Sequence, residues 1–294
     1  MSNRLLLIVN PHAGKRKVKD CLFEIINAFT ENGKNVTVYP TKNKIETITY
    51  IKNNAADFEA VVVCGGDGTL NEAVNGLMQC GKRIPLGYIP FGSTNDFASS
   101  LDIPSICLSA TKKIIQGNKF AYDLGCLNGS YFTYIACAGA FAETSYLTSQ
   151  NLKNRLGHFA YLLSSVKSLH TLRKTSMTIT APNFSVSGDF LFTAILNSLN
   201  AGGVLDFSKE KIVFNDGLFE LLLIKMPKDI IDFSALIKDL LNADLKNKNI
   251  SIHKVSECNI KVEKEIGWAI DGEDGGSSKE IDFKVISKSI DIIL

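Results

Sequence analysis

Apolar residues come in two rhythms along this chain. In the first 120 residues short unbroken runs, Arg4 to Val9, Val36 to Tyr39, Ala60 to Cys64 and Pro85 to Ile89, alternate with segments whose apolar positions recur every three or four residues. Those segments are Val18 to Phe29, Lys44 to Asn54, Leu70 to Leu77 and Ser105 to Gln116. Short β-branched runs read as strands covered on both faces, and helices between them predict a parallel sheet. From Phe120 onward the runs lengthen: Ala121 to Leu127, Tyr131 to Ala140, Ser176 to Thr180, Ser187 to Asn197 and Leu218 to Ile224 read as strands. Two helices, Leu156 to Leu169 and Ile230 to Leu241, interrupt them. The predicted fold class is α/β: an N-terminal doubly wound (Rossmann-like) nucleotide-binding domain, 1–120, and a C-terminal β-rich sandwich domain, 121–285. Residues 286–294 are candidates to complete the first domain.

The run at Val61 breaks into Gly65-Gly66-Asp67-Gly68-Thr69-Leu70-Asn71-Glu72. Thr69 and Glu72 stand three apart as a capping box, which predicts a helix from about Thr69. Its amide-rich end and positive dipole favour a polyphosphate, and glycines let the backbone come close to one. Asp67 would repel a phosphate unless a cation lies between them, which points to Mg²⁺. A tight turn of an ordinary βαβ unit with a solvated Asp67 is the plainer account of Gly-Gly-x-Gly. The loop is neither a Walker A sequence nor the dinucleotide fingerprint. Ligands of such sheets lie beyond the carboxyl ends of the strands, where Asn10, Thr41 and the glycine loop all fall. The fourth strand ends in Pro90-Phe91-Gly92-Ser93-Thr94-Asn95-Asp96-Phe97: Ser93 or Thr94 offers a hydroxyl, and Asp96 a second carboxylate. Helix capping is the bland reading of Asn95 and Asp96. Near the end, Asp271-Gly272-Glu273-Asp274-Gly275-Gly276 reads as a turn rich in acids.

Composition narrows the setting. A net charge of +2 argues against a dedicated nucleic-acid binder, while a local basic patch could still touch anionic lipid headgroups. Seven cysteines with no Cys-x-x-Cys pair read as reduced thiols of a cytoplasmic protein, and four histidines without ligand spacing read as structural. The apolar run Leu5 to Val9 is too short for a signal peptide, and no apolar run reaches membrane-spanning length, so peripheral membrane contact is the most expected.

The glycine loop, Asn10-Pro11, the segment Pro90 to Phe97 and Asp271-Gly272-Glu273 together resemble the soluble bacterial diacylglycerol and lipid kinases, relatives of the eukaryotic diacylglycerol, sphingosine and ceramide kinases. The resemblance spans nearly the whole chain in order. NAD kinases and phosphofructokinases share only the glycine loop. The resemblance implies ATP as phosphoryl donor, Mg²⁺, and a lipid alcohol as acceptor, diacylglycerol first, at the inner face of the membrane, with a homodimer left open. It places nucleotide contacts at Asn10, Thr41, Gly65, Gly66, Asp67, Gly68, Thr69, Asn71, Glu72 and Thr94. It places catalytic carboxylates at Asp67 and Asp96 and a general base at Glu273. It also implies a structural Mg²⁺ on Asp216 with the carbonyls of Val213 and Leu218, although this chain has Asn215 where many relatives have Asp. Arg155 would be the family's basic residue ahead of Leu156-Gly157. Two other readings stand beside it. A kinase of a soluble alcohol such as NAD is opposed by the contiguous Thr69-Leu70-Asn71-Glu72. A non-catalytic sensor would need a missing carboxylate, and all three are present.

Overall fold

In the computed structural model of the chain, the described residues are 3–16, 18–139, 173–198, 200–201, 205–206, 212–242 and 244–294. The expected helix Leu156 to Leu169, and Arg155, lie outside them. The protein is a mixed α/β structure that divides into two compact units, 1–124 with 287–294, and 125–286.

The first unit opens with β1 (Arg4–Val9), α1 (Val18–Glu31), β2 (Asn35–Pro40), α2 (Lys44–Asn54) and β3 (Ala60–Gly65). It continues with α3 (Asp67–Met78), β4 (Leu86–Pro90), α4 (Asp96–Ser100) and α5 (Cys107–Gln116). Five of the six residues of β3 are fully covered, as the β-branched run requires. The strands pair in parallel in the order β2-β1-β3-β4. From β1 the chain therefore moves first to one side and then to the other, which leaves a topological switch between the carboxyl ends of β1 and β3. Asn10 and Gly65 stand there.

Strand β5 (Lys119–Leu127) carries the division between the units at Leu124. The second unit holds β6 (Ser130–Phe132), β7 (Ile135–Gly139), β8 (Thr175–Ala181), β9 (Phe184–Leu196), β10 (Asn200–Ala201), β11 (Leu205–Asp206) and β12 (Phe219–Lys225). The helix Ile230–Leu241, β13 (Ile250–Val255), β14 (Glu257–Ile270) and β15 (Glu273–Ile293) follow. Antiparallel pairing runs β13-β12-β9-β7-β14-β15, with β8 against β9 and β14. Trp268, Phe132, Phe190, Phe219 and Phe283 fill its core. The single strand expected over Tyr131 to Ala140 is two, broken at Thr133 and Tyr134, whose amides turn to a buried carboxylate. From residue 287 onward β15 belongs to the first unit, where Ile292 pairs with Leu86 of β4.

Candidate active site

The glycine loop and the segment after β4 meet at the end of β3. Phe91 N–H donates to the Gly65 carbonyl at 2.7 Å, and Asn10 N–H to the Cys64 carbonyl at 2.9 Å. The contact is so close that a Cβ on Gly92 would lie 2.9 Å from the Gly66 Cα and 2.6 Å from Asn95 Oδ1. Position 92 therefore calls for glycine, and a Cβ on Gly66 would be tight as well, 3.2 Å from the Gly92 Cα.

The helix after the loop starts earlier than the capping-box reading predicts. Gly66 is its N-cap, Asp67 its first residue, and no side chain caps it. Thr69 is instead buried, its hydroxyl accepting from Asn10 Nδ2 at 3.0 Å and its Cβ pressed toward Gly65. The tertiary partner Asn10 outweighs the local cap. Gly66, Asp67 and Gly68 therefore form the first turn, so that the positive end of the helix dipole lies in the loop itself.

Asp67 is buried and gathers donors from the next loop. Thr94 Oγ1 and Asp96 N lie 3.3 Å from Asp67 Oδ2, and Tyr88 Oη lies 3.4 Å from Asp67 Oδ1. The same phenol is 3.4 Å from Asn95 Oδ1. Burial, and then the charge of Asp67, push the Tyr88 hydroxyl well above its ordinary range, so it stays a proton donor. Asp96 is also buried and begins α4. Asn95 occupies the N-cap position at φ +54° but does not cap: its amide turns back to Gly92, accepting from N at 2.7 Å and donating to O at 3.0 Å. Phe97 anchors the segment, edge-on to Tyr88 and to Tyr122. Thr41 follows β2, its N–H on the Val9 carbonyl at 2.8 Å, next to Asn10. Gly68, Glu72 and Thr94 are half-buried, and Asn71 is buried.

Glu273 belongs to the second unit. Asp271 and Gly272, at φ +48° and +83°, make a two-residue hairpin turn between β14 and β15, and Glu273 is the first residue after it, exposed and paired with Ile270. The turn is thus two residues, and Asp274 to Gly276 lie in β15. Asp271 is no solvated acid. Only 2% exposed, it accepts from Thr133 N (2.7 Å), Thr133 Oγ1 (2.9 Å), Tyr134 N (3.0 Å) and Ile135 N (3.2 Å).

At the turn for which a second metal is expected, Asp216 Oδ1 accepts Leu218 N–H at 3.0 Å, and Lys254 Nζ lies 3.5 Å from Oδ2. Val213 is 45% exposed. Neighbouring Glu220 is buried, which pushes its carboxyl up to about 7 while Lys254 draws it down. Among the described residues no three His, Cys, Asp or Glu side chains converge as a metal cluster. At the first site, a cation would be held by Asp67 and Asp96 with oxygens of the substrate and water, hard ligands that suit Mg²⁺. The Asp216 turn does not fit: its carboxylate already faces an ammonium group.

Sequence reasoning missed Tyr88, the inward role of Asn95, the anchoring role of Asp271, and Asp123, which is buried and accepts from the Lys288 N–H. Tyr88 sat within an apolar run and read as core. An Asp before a glycine at a hairpin was the signal for Asp271, and it was read only as turn chemistry.

Among known proteins, the family model "Diacylglycerol kinase catalytic domain" matches residues 4–127. A diacylglycerol kinase of Bacillus subtilis (strain 168) is 30% identical over 276 residues, 93% of this chain and 90% of that protein. One of Staphylococcus carnosus (strain TM300) is 30% identical over 282 residues, 94% and 90% of the two chains. A solved diacylglycerol kinase structure from Bacillus anthracis str. Sterne superposes with a TM-score of 0.75 at 22% identity, covering 99% of this chain and 96% of that one, a likeness of fold. Identity at this level across nearly the full length of both chains means that the chain belongs to the diacylglycerol kinase family and is a kinase.

Proposed function

We propose that the protein transfers the γ-phosphoryl group of ATP to the hydroxyl of a lipid alcohol, with diacylglycerol as the first candidate and phosphatidic acid as its product. The observation that carries the reading is the buried Asp67 carboxylate at the first turn of α3, joined to Thr94, Asp96 and Tyr88 at the switch between β1 and β3. Phosphoryl transfer asks for alignment and charge neutralisation more than for covalent chemistry. Gly65, Gly66 and Gly68 let the backbone approach the phosphates, and the first turn of α3 offers amides to them. Asn10 and Thr69, already bonded to each other, and Thr41 and Thr94 flank that position. Asn71 and Glu72 follow on the same helix. Asp67 and Asp96 would hold Mg²⁺, which neutralises phosphate charge when bound. Tyr88 keeps a proton on the far side of Asp67 and fixes its carboxylate plane. Glu273, presented by the Asp271-Gly272 turn, accepts the proton of the attacking hydroxyl. The two units take their parts as a nucleotide domain and a lipid domain. The lipid would be met at a membrane surface; among the described residues no helix is long and apolar enough to cross one.

Incubation with labelled ATP and either diacylglycerol micelles or NAD tests the reading: a labelled, lipid-soluble product supports it, and labelled NADP replaces it with a soluble-substrate kinase. In the same assay Glu273→Gln lowers turnover about 10² to 10⁴-fold while nucleotide binding persists. Full turnover in that variant removes Glu273 from the mechanism.

A further inference from the structure

The turn Asn215-Asp216-Gly217 leads into β12 with Gly217 at φ +79° and the Leu218 amide bonded to Asp216 Oδ1. On β12, Glu220 is directly opposite Lys254 of β13. Glu220 is 4% exposed, and its Oε2 is buried with no hydrogen-bond partner among the described residues. The Lys254 ammonium reaches both acids, 3.5 Å from Asp216 Oδ2 and 3.7 Å from Glu220 Oε1. Asp216 therefore spends one oxygen on its own turn and turns the other toward the Lys254 ammonium group. An exposed ion pair alone would count for little. Here the ammonium stands beside a carboxylate taken out of water, where charge compensation matters most. A divalent cation drawn to Asp216 Oδ2 would have to displace it, and Asn215 adds no compensating negative charge.

We infer that Lys254 takes the place of a divalent cation in this chain: its ammonium group ties the Asn215–Gly217 turn to β13 and offsets part of the negative charge that Asp216 and Glu220 share, so that the second unit holds its fold without metal. The cross-strand register supplies the cation from within the protein, and the turn is complete when the chain has folded. This holds whatever alcohol the kinase phosphorylates.

Thermal unfolding of the full chain without nucleotide, in EDTA and in millimolar MgCl₂, tests it. The wild-type midpoint is the same in both. Lys254→Met lowers the midpoint in EDTA by about 2 to 6 °C and regains part of the loss with Mg²⁺, whereas Lys254→Arg behaves as wild type. An Asp67→Asn background separates this site from the nucleotide site. Calorimetric titration of Mg²⁺ into Asp67→Asn, which needs no change at Lys254, gives no binding heat. A stoichiometric Mg²⁺ site in that protein, lost on Asp216→Asn, overturns the inference, as does a Lys254→Met protein that is as stable in EDTA as wild type.

Discussion

Asp67 and Asp271 are both buried acids beside glycine, and their surroundings assign them opposite tasks. Asp271 accepts four hydrogen bonds from three successive residues, three of them from backbone amides. Removing the carboxylate takes away four hydrogen bonds at a buried position, and each buried donor that loses its acceptor costs roughly 1 to 3 kcal/mol. Asp271→Ala should therefore cost about 3 kcal/mol or more in urea unfolding and release the hairpin that carries Glu273. Asp271→Asn keeps the shape and one good acceptor, so it should lose less stability, with turnover falling more than nucleotide affinity. Asp67 holds three donors at longer range, 3.3 to 3.4 Å, a looser arrangement with room for a cation to compete for its oxygens. Asp67→Asn should weaken Mg-dependent ATP binding as well as turnover, read by titration with a fluorescent nucleotide. Unchanged affinity and unchanged rate would remove the metal-bridging role. Its amide would also point hydrogens at the Thr94 hydroxyl or the Asp96 N–H, so a modest loss of stability should accompany the change.

At the scale of elements, the end of β3 and the end of β4 touch through two glycines, and their separation sets the loop geometry. Gly92→Ala places a methyl group 2.6 Å from Asn95 Oδ1 and 2.9 Å from Gly66 Cα. Backbone cannot give way as a side-chain tip can, so overpacking of about 1 to 3 kcal/mol and a lower nucleotide affinity are expected, measured by unfolding and by titration. Gly129→Ala, at φ +87° but with nothing near its Cβ, is a control that strains a turn without touching this site. The parallel strands and the helices between them were legible from their apolar runs and spacing: β1 and α2 span the very residues their patterns predict. The first turn of α3 was not, because Thr69 satisfies the rule for a cap, and only the fold brings Asn10 to claim its hydroxyl. Helix α4 has five residues, too few to show a period. Strands β14 and β15 went unread for a different reason. Their outer faces carry Lys261, Glu263, Lys279, Glu280 and Lys284, and their buried residues, such as Ile260, Val262, Ile281 and Phe283, stand singly between polar ones. Across the candidate site, residues contributed by local motifs could be named from the sequence. Those contributed by packing, Tyr88, Asp123 and the anchoring of Asp271, could not.

The first unit is not a continuous stretch of chain, and this makes its stability depend on residues 287–294, far along the chain from the rest of it. Residues 287–294 lay Ile292 beside Leu86, and Leu294 exchanges backbone hydrogen bonds with Asn118 at 2.9 and 3.0 Å. Arg83 Nε donates to Asp291 at 2.8 Å, and the Lys288 amide binds the buried Asp123. Ile290 and Ile292 are 3% and 1% exposed, which at roughly 1.5 to 3 kcal/mol for each buried side chain is a large share of the roughly 5 to 15 kcal/mol that holds an ordinary domain folded. A chain ending at residue 286 should therefore keep β14 and the hairpin turn but lose the ordered first unit. Limited proteolysis should cut within 1–124 while the stretch from β12 to β13 and the strand β14 resist, and nucleotide binding should vanish. A truncated chain that binds nucleotide with wild-type affinity would show that the closing strand is dispensable. Arg83→Met gives a graded version of the same test. The guanidinium holds the Asp291 carboxyl below its ordinary value of 3.8. A lowered acid pKa means that the pair contributes fully above that ordinary value and fades as acid titrates Asp291 below it. Wild type and Arg83→Met should thus differ in stability at neutral pH and converge in strong acid. A difference that persists unchanged into acid would assign the Arg83 contribution to packing of its aliphatic stem instead of its charge.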